Sequence, residues 1–170
     1  IEQLGAPRDL YDKPNTAFVA GFLGDNNLLQ GSIVSPGVNA CRVRLASGDV
    51  FEATPAGLFR SGEDVLVAIR PEAIRIADRA GPAAFDGTIV ETFYLGDQLR
   101  MRCAAFGVDT LQVKISATSA ASRLSPGDRI RLSVDQGALR ALPTRRSEAA
   151  EHGAVAAGQP VKVEKTEHPA

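Results

Sequence analysis

The stretch that decides the fold is residues 61–69 (SGEDVLVAI), which is repeated further along the chain as residues 125–134 (SPGDRIRLSV). Each copy begins with a turn containing glycine and continues into a segment rich in branched apolar residues, which alternate with polar residues in the second copy; this pattern is typical of β-strands. The first run is apolar at every position, as expected for a strand buried on both faces. Three pairs of positions share a constant offset of 65 residues: Gly62 with Gly127, Val67 with Leu132, and Arg75 with Arg140.

The segments around this repeat also alternate with a period of two. Apolar and basic residues alternate in residues 41–45 (CRVRL) and 99–103 (LRMRC), and residues 31–34 (GSIV) resemble residues 87–90 (GTIV). Strict alternation indicates strands with one buried and one solvated face. We therefore predict an all-β barrel or sandwich made of two related strand units, at about residues 28–76 and 85–141.

Both ends of the chain differ from this pattern. Residues 6–11 and 16–23 have the spacing of two short helices, with Pro7 in the first turn of one and Asn15 as the N-cap of the other. Residues 143–170 lack aromatic residues and show almost no periodicity. Such a segment buries too little apolar surface to offset its chain entropy, so we predict a disordered tail.

Composition excludes several classes of protein. The 170 residues carry a net charge of −1, which creates no large field to attract nucleic acid or an anionic membrane. Two cysteines are too few for a disulfide scaffold and are expected to be reduced core residues. Because Met101 is the only methionine and the chain begins at Ile1, we expect it to be part of a larger protein.

The sequence offers no catalytic constellation. Both histidines, His152 and His168, lie in the predicted tail, and none of the four lysines follows a glycine as a phosphate-binding loop requires. We therefore predict no enzyme activity and no catalytic, cofactor or metal residue in this chain. The arginines of the alternating strands are expected on solvated outer faces. An arginine pair that binds a small oxyanion, and a barrel that binds single-stranded nucleic acid, remain alternatives.

Five segments in order resemble a known protein family. They are residues 3–14 (QLGAPRDLYDKP), 18–27 (FVAGFLGDNN), 67–74 (VAIRPEAI), 94–97 (YLGD) and 125–128 (SPGD). Together they resemble the C-terminal regulatory domain, the transport-associated OB-like (TOBE) domain, of the ATP-binding subunit of bacterial ABC importers. Among the branches of that family, the spermidine/putrescine importers are the most similar.

The resemblance implies an OB-like β-barrel that is regulatory or dimerising and not catalytic. Residues 1–24 would be the end of the ATPase domain and its linker helices, and residues 25–142 the regulatory domain. The expected partners are the chain's own upstream ATPase domain, a second copy of the subunit and, indirectly, the membrane subunits, but no nucleic acid. ATP and Mg²⁺ would bind in the upstream domain. The expected location is cytoplasmic, at the inner face of the cell membrane.

Two motifs of the resemblance supply the candidate interface residues. These residues are Arg70, Pro71, Glu72, Tyr94, Leu95, Gly96 and Asp97. The alternatives to the importer domain are a free-standing barrel that binds a small ligand and an OB-type binder of single-stranded nucleic acid.

Overall fold

The computed structural model describes residue 3 and residues 14–22, 25–77, 81, 83–117, 123–135 and 137–144. These residues form the short helix α1 (Ala17–Phe22) and a 3₁₀ turn at Pro71–Ala73. Their strands, in chain order, are β1 (Asn27–Ser35), β2 (Cys41–Leu45), β3 (Val50–Pro55), β4 (Asp64–Ile69), β5 (Ile74–Ile76), β6 (Ala84–Leu95), β7 (Gln98–Ala105), β8 (Val108–Ser116), β9 (Arg129–Val134) and β10 (Arg140–Pro143).

The strands form two lobes around one apolar core. In the first lobe the order β1-β2-β3-β10-β4 closes into a barrel through the pairing of β4 with β1. The second lobe is an open sheet in the order β5-β9-β6-β7-β8. Buried side chains of both lobes belong to the same core cluster, among them Val67 and Leu132. The prediction of an all-β, OB-like fold is confirmed.

The two lobes repeat the same backbone arrangement. Gly31 lies opposite Val65 in the pair β1–β4, and Gly87 lies opposite Ile130 in the pair β6–β9. Each unit also has an irregularity in register two residues beyond its glycine. At Gly31 a Cβ atom would lie 2.8 Å from the Arg44 carbonyl oxygen, so glycine is needed for this close approach. The prediction of two related strand units is confirmed.

Each lobe takes one strand from the other unit. β5 is the last strand of the first unit but pairs with β9 of the second lobe. β10 is the last strand of the second unit but lies between β3 and β4 of the first lobe. The sequence repeat predicted two similar units and gave no sign of this exchange. Because neither sheet is complete without a strand from the other unit, the lobes are expected to fold as one cooperative unit.

Helix α1 explains why β4 is apolar on both faces. Val65, Val67 and Ile69 point into the barrel core, while Ala68 packs outside it against Ala20 of α1 and is also buried. The predicted second helix, 16–23, is observed as Ala17–Phe22. The predicted helix at residues 6–11 and the predicted tail beyond residue 144 lie outside the described residues.

The N-cap of α1 is one residue later than predicted. The Val19 N–H donates to Thr16 Oγ1 at 3.2 Å, so Thr16 is the capping residue and the prediction of Asn15 is wrong. The Asn15 side chain instead accepts a hydrogen bond from Arg140. A threonine and an asparagine are both suitable caps, and here the threonine caps the helix while the asparagine makes a long-range contact with Arg140.

We expect Ile69→Ala in the barrel and Leu132→Ala in the open sheet to shift the same unfolding transition. Each removes a fully buried side chain and should lower the free energy of unfolding by about 2–5 kcal/mol. Denaturant unfolding, followed by circular dichroism and by hydrogen exchange in both lobes, measures the effect. The control Leu58→Ala, at a side chain that is 78% exposed, should change stability by less than about 0.5 kcal/mol. Separate transitions for the two lobes would contradict the prediction.

Candidate functional site

Arg70, Pro71 and Glu72 form the crossover from the barrel to the open sheet. β4 ends at Ile69, and Pro71 occupies the first position of the 3₁₀ turn, where its missing N–H costs no hydrogen bond. The Ala73 N–H closes the turn on the Arg70 carbonyl oxygen at 3.0 Å. Pro71 is buried, Arg70 is half-buried and Glu72 is exposed. This motif therefore redirects the chain, with the Glu72 carboxylate at its surface.

Tyr94, Leu95, Gly96 and Asp97 form the end of the β6–β7 hairpin. Leu95 pairs with Gln98 across a two-residue turn, and Gly96 has φ +67°, which favours glycine. The Asp97 carbonyl oxygen accepts a hydrogen bond from the Ala117 N–H at 2.8 Å. The turn is thus tied to the end of β8, and the hairpin is held in one orientation.

The same hairpin exposes three consecutive large apolar side chains. Phe93, Tyr94 and Leu95 are 47%, 51% and 52% exposed. Alternate residues of a strand point to opposite faces of the sheet. Exposure of all three side chains therefore means that both faces of the hairpin end are uncovered. A contiguous exposed apolar group of this kind is typical of interaction surfaces. We call Phe93, Tyr94 and Leu95 the hairpin surface.

An ion pair lies beside the hairpin surface. Phe93 is directly opposite Arg100 in the β6–β7 register, and Arg100 is opposite Lys114 in β7–β8. Arg100 Nη2 lies 3.2 Å from Asp25 Oδ2. Aromatic residues and arginine are both enriched in protein–protein interfaces. The outer face of β6–β7 therefore combines apolar area with charged groups able to orient a partner.

The structure does not bring the two candidate motifs into one pocket. A cleft of about 190 Å³ lies between residues 25–29 at the start of β1 and residues 108–112 of β8. None of its lining residues belongs to either motif. Across the same junction, Asn27 donates through Nδ2 to the Gln112 carbonyl oxygen at 2.8 Å and accepts from the Gln112 N–H at 2.7 Å. Asn27, which the sequence reasoning missed, therefore covers part of the β8 edge.

The arginines of the alternating strands lie on outer faces, as expected from the alternation. Arg102 pairs with Glu91 at 3.1 Å, and Arg131 pairs with Asp86 at 2.8 Å. The hydrogen bond from Arg131 lowers the pKa of the Asp86 carboxyl below its ordinary value. With carboxylates beside these guanidinium groups, the face has no uniformly positive groove of the kind that single-stranded nucleic acid requires.

The described residues offer little chemistry for catalysis. Within them, no three His, Cys, Asp or Glu side chains are grouped so that they could hold a metal ion. Burial raises the pKa of the Cys103 thiol to about 11 and also raises that of the Cys41 thiol, so burial favours the neutral form of both groups. No described helix is both long and apolar enough to cross a membrane. The prediction that this chain holds no cofactor stays a prediction.

A domain family and several importer subunits resemble this chain. Residues 67–142 match the family described as the TOBE domain. Similar curated proteins include the spermidine/putrescine import ATP-binding protein PotA of Mesorhizobium japonicum, 31% identical over 143 residues, and that of Frankia alni, 36% identical over 146 residues. These alignments cover 84% and 78% of this chain, and 39% and 31% of the relatives. The Fe(3+) ions import ATP-binding protein FbpC of Brucella abortus is 36% identical over 99 residues, which are 58% of this chain and 27% of that protein.

Solved structures of other proteins have a similar fold. One of them is the cytoplasmic molybdate-binding protein ModG in a form with molybdate bound. The two superpose with a TM-score of 0.58 at 14% sequence identity, covering 66% of this chain and 92% of the other. At that identity the likeness shows the arrangement of strands alone. The chain spans less than two fifths of the length of each curated relative described above.

We expect Arg131→Gln to raise the pKa of Asp86 toward its ordinary value of 3.8. The guanidinium favours the charged form of the Asp86 carboxyl. The ion pair therefore stabilises the fold at pH values above the ordinary pKa of Asp86, and this stabilisation is lost as the pH falls through the lowered pKa of the folded state. A carbon-detected NMR titration of the Asp86 carboxyl measures the shift. Arg129→Gln is the matched control and should have a smaller effect, because Arg129 contributes only a weaker charge interaction. An unchanged Asp86 pKa in Arg131→Gln would contradict the assignment.

Proposed function

We propose, on the premise that residues 67–142 belong to the TOBE domain family, that this chain is the regulatory β-domain of the ATP-binding subunit of a bacterial ABC importer. The observation that carries the proposal is its similarity to import ATP-binding proteins over 84% of its own length and only 39% of theirs. That proportion suits one domain of a larger subunit. The two-lobed fold supplies surfaces for contact with a partner, and its described residues contain no group of three or more His, Cys, Asp or Glu side chains that could hold a metal ion.

The proposed role is regulation and dimerisation, without catalysis by the domain itself. ATP and Mg²⁺ would bind in an ATPase domain that precedes residue 1, and the β-domain would contact that domain and a second copy of the subunit. The hairpin surface is our candidate for the contact between copies, since it is apolar, exposed and held by the turn contact of Asp97. A twofold pair would use the same surface on both copies.

For the transported solute we propose polyamines. Both the Mesorhizobium and the Frankia relatives carry the name spermidine/putrescine importer, and their alignments extend over 143 and 146 residues. The iron importer aligns over a shorter stretch of 99 residues and supplies the alternative solute. In either case the proposed location is the inner face of the cell membrane, where the subunit would meet the membrane subunits of the importer.

The charges on the surface weigh against the two alternative functions. A barrel that binds a small oxyanion would need hydrogen-bond donors with no carboxylate nearby, because a carboxylate repels an anion. The cleft at residues 25–29, however, is lined in part by Asp25. A nucleic-acid binder would need basic groups available to phosphates, yet Arg100, Arg102 and Arg131 each lie within 3.2 Å of a carboxylate. The proposed importer domain does not require these residues to bind an anion or a nucleic acid.

We expect the purified chain to release no phosphate from ATP above the rate of a buffer blank. The physical reason is that the sequence has no phosphate-binding loop, and both histidines lie outside the described core. A malachite-green phosphate assay with Mg²⁺ and ATP measures this. Phosphate release that scales with protein concentration and survives further purification would contradict the proposal.

We expect the chain to associate weakly, with a Kd in the micromolar range or above, through the hairpin surface. The variant with Phe93, Tyr94 and Leu95 all changed to Ser should shift the equilibrium toward monomer at every concentration. The control replaces Val38 and Leu58 with Ser, two side chains that are each 78% exposed elsewhere on the surface. Sedimentation velocity across a concentration series measures the association. Equal association by both variants would remove the hairpin surface from the proposal.

A further inference from the structure

The repeat places an arginine at the same position in both exchanged strands. Arg75 in β5 lies opposite Ser133, and Arg140 in β10 lies opposite Ala68, which is the position equivalent to Ser133. Both side chains point away from the core, and both strands complete a lobe of the other unit. The two arginines can therefore be compared directly, because their backbone surroundings correspond.

The partner position differs between the two lobes. Arg75 Nη2 lies 2.7 Å from Asp135 Oδ2 and forms an exposed ion pair. In the barrel, the residue equivalent to Asp135 is Arg70. The carbonyl oxygens of both residues accept the same turn hydrogen bond at 3.0 Å, from the Ala138 N–H in one case and from the Ala73 N–H in the other. An arginine at that position cannot form the same ion pair with Arg140. The carboxylate that pairs with Arg75 in the open sheet therefore has no equivalent beside Arg140 in the barrel.

Arg140 instead holds the chain that enters the barrel. Its Nε donates to the Pro14 carbonyl oxygen at 2.5 Å, and its Nη2 donates to Asn15 Oδ1 at 3.1 Å. The side chain is half-buried, and burial lowers the pKa of the Arg140 guanidinium below its ordinary value. A guanidinium nevertheless remains charged at neutral pH, so both contacts are charge-assisted. The two donors fix residues 14 and 15 in position and direction.

A second contact on the same face reinforces this attachment. Leu142, two residues beyond Arg140 on β10, packs against Ala20 of α1 and Ala68 of β4. The Asn26 side chain donates through Nδ2 to the Ala20 carbonyl oxygen at 2.5 Å. The segment from residue 14 to α1 is thus held at both ends on the outer face of β4 and β10. We call this segment, residues 14–22, the entry segment.

We propose that Arg140 is a positioning residue that fixes the direction in which the chain upstream of residue 14 leaves the barrel. It lies in the strand supplied by the second unit, so the entry segment is held by both repeats at once. In combination with the proposed function, Arg140 would set the orientation of the upstream ATPase domain relative to the β-domain. The attachment itself depends only on contacts within this chain.

Hydrogen exchange on the 170-residue chain tests the attachment. In Arg140→Gln, amide exchange of the entry segment should become faster by roughly tenfold or more, while exchange in β4 and β9 stays unchanged. Arg140→Lys should retain part of the protection, because an ammonium can reach one acceptor but cannot reproduce the two-pronged contact. The matched control Arg75→Gln should leave the entry segment unchanged. Unchanged exchange in Arg140→Gln would overturn the proposal.

Spin-label distances separate positioning from a general loss of stability. Labels at Gly21→Cys and Val38→Cys occupy exposed sites, whereas Cys41 and Cys103 are buried. Adding Arg140→Gln should broaden the distance distribution between these labels, and adding Arg75→Gln should not. A distribution equally narrow in both would overturn the positioning role. Because these measurements use this chain alone, an upstream domain that is not an ATPase would refute the proposed function and leave the result for Arg140 intact.

Discussion

Neither sheet of this protein is complete until the other unit supplies a strand. β10 stands between β3 and β4 and closes the barrel, and β5 forms the edge of the open sheet next to β9. This exchange joins the two lobes by backbone hydrogen bonds and not only by side-chain packing. Loss of either exchanged strand exposes core residues of both lobes, since one apolar cluster runs through them. The positions of the hairpin surface and of the entry segment both depend on this shared framework.

The two repeats keep the same core and differ on their outer faces. Gly31 and Gly87, together with the strands paired to them, retain equivalent backbone positions. Outside the core, the barrel uses the face of β4 and β10 to hold α1, whereas the second lobe extends its β6–β7 hairpin beyond the core. Interiors tolerate little change in volume, while outer positions are free to acquire new contacts. Any difference in function between the lobes must therefore lie on these outer faces.

Local patterns in the sequence predicted the strands and the turns well. Alternation in residues 41–45 and 99–103 requires one buried face, and the glycine turns at Gly62 and Gly127 precede β4 and β9, so both features can be recognised without tertiary information. The resemblance to the TOBE domain likewise depends on contiguous segments. The hairpin motif could therefore be located, although the exposure of Phe93 beside it was not predicted.

Contacts between distant residues could not be predicted in this way. Arg140 binds a carbonyl oxygen 126 residues away, and Asn27 binds the backbone of a residue 85 positions away. Neither residue type at those positions indicates a partner, because each contact forms only when segments far apart in the sequence come together in the fold. The N-cap of α1 was misassigned for the same reason. The sequence marked the position of Arg140 only through the repeat, in which Arg140 corresponds to Arg75.

The exchange of strands also bears on how such a chain could arise. One unit by itself would lack the strand that pairs with its fourth strand, and its own fifth strand would have no sheet to join. Two identical units could each fill the other's vacancy, which is the arrangement of an intertwined homodimer. The present chain has that arrangement within one polypeptide, with the crossovers at Pro71–Ala73 and after β9. Fusion of a duplicated gene would thus have made a pair permanent, after which each copy was free to diverge without losing its partner.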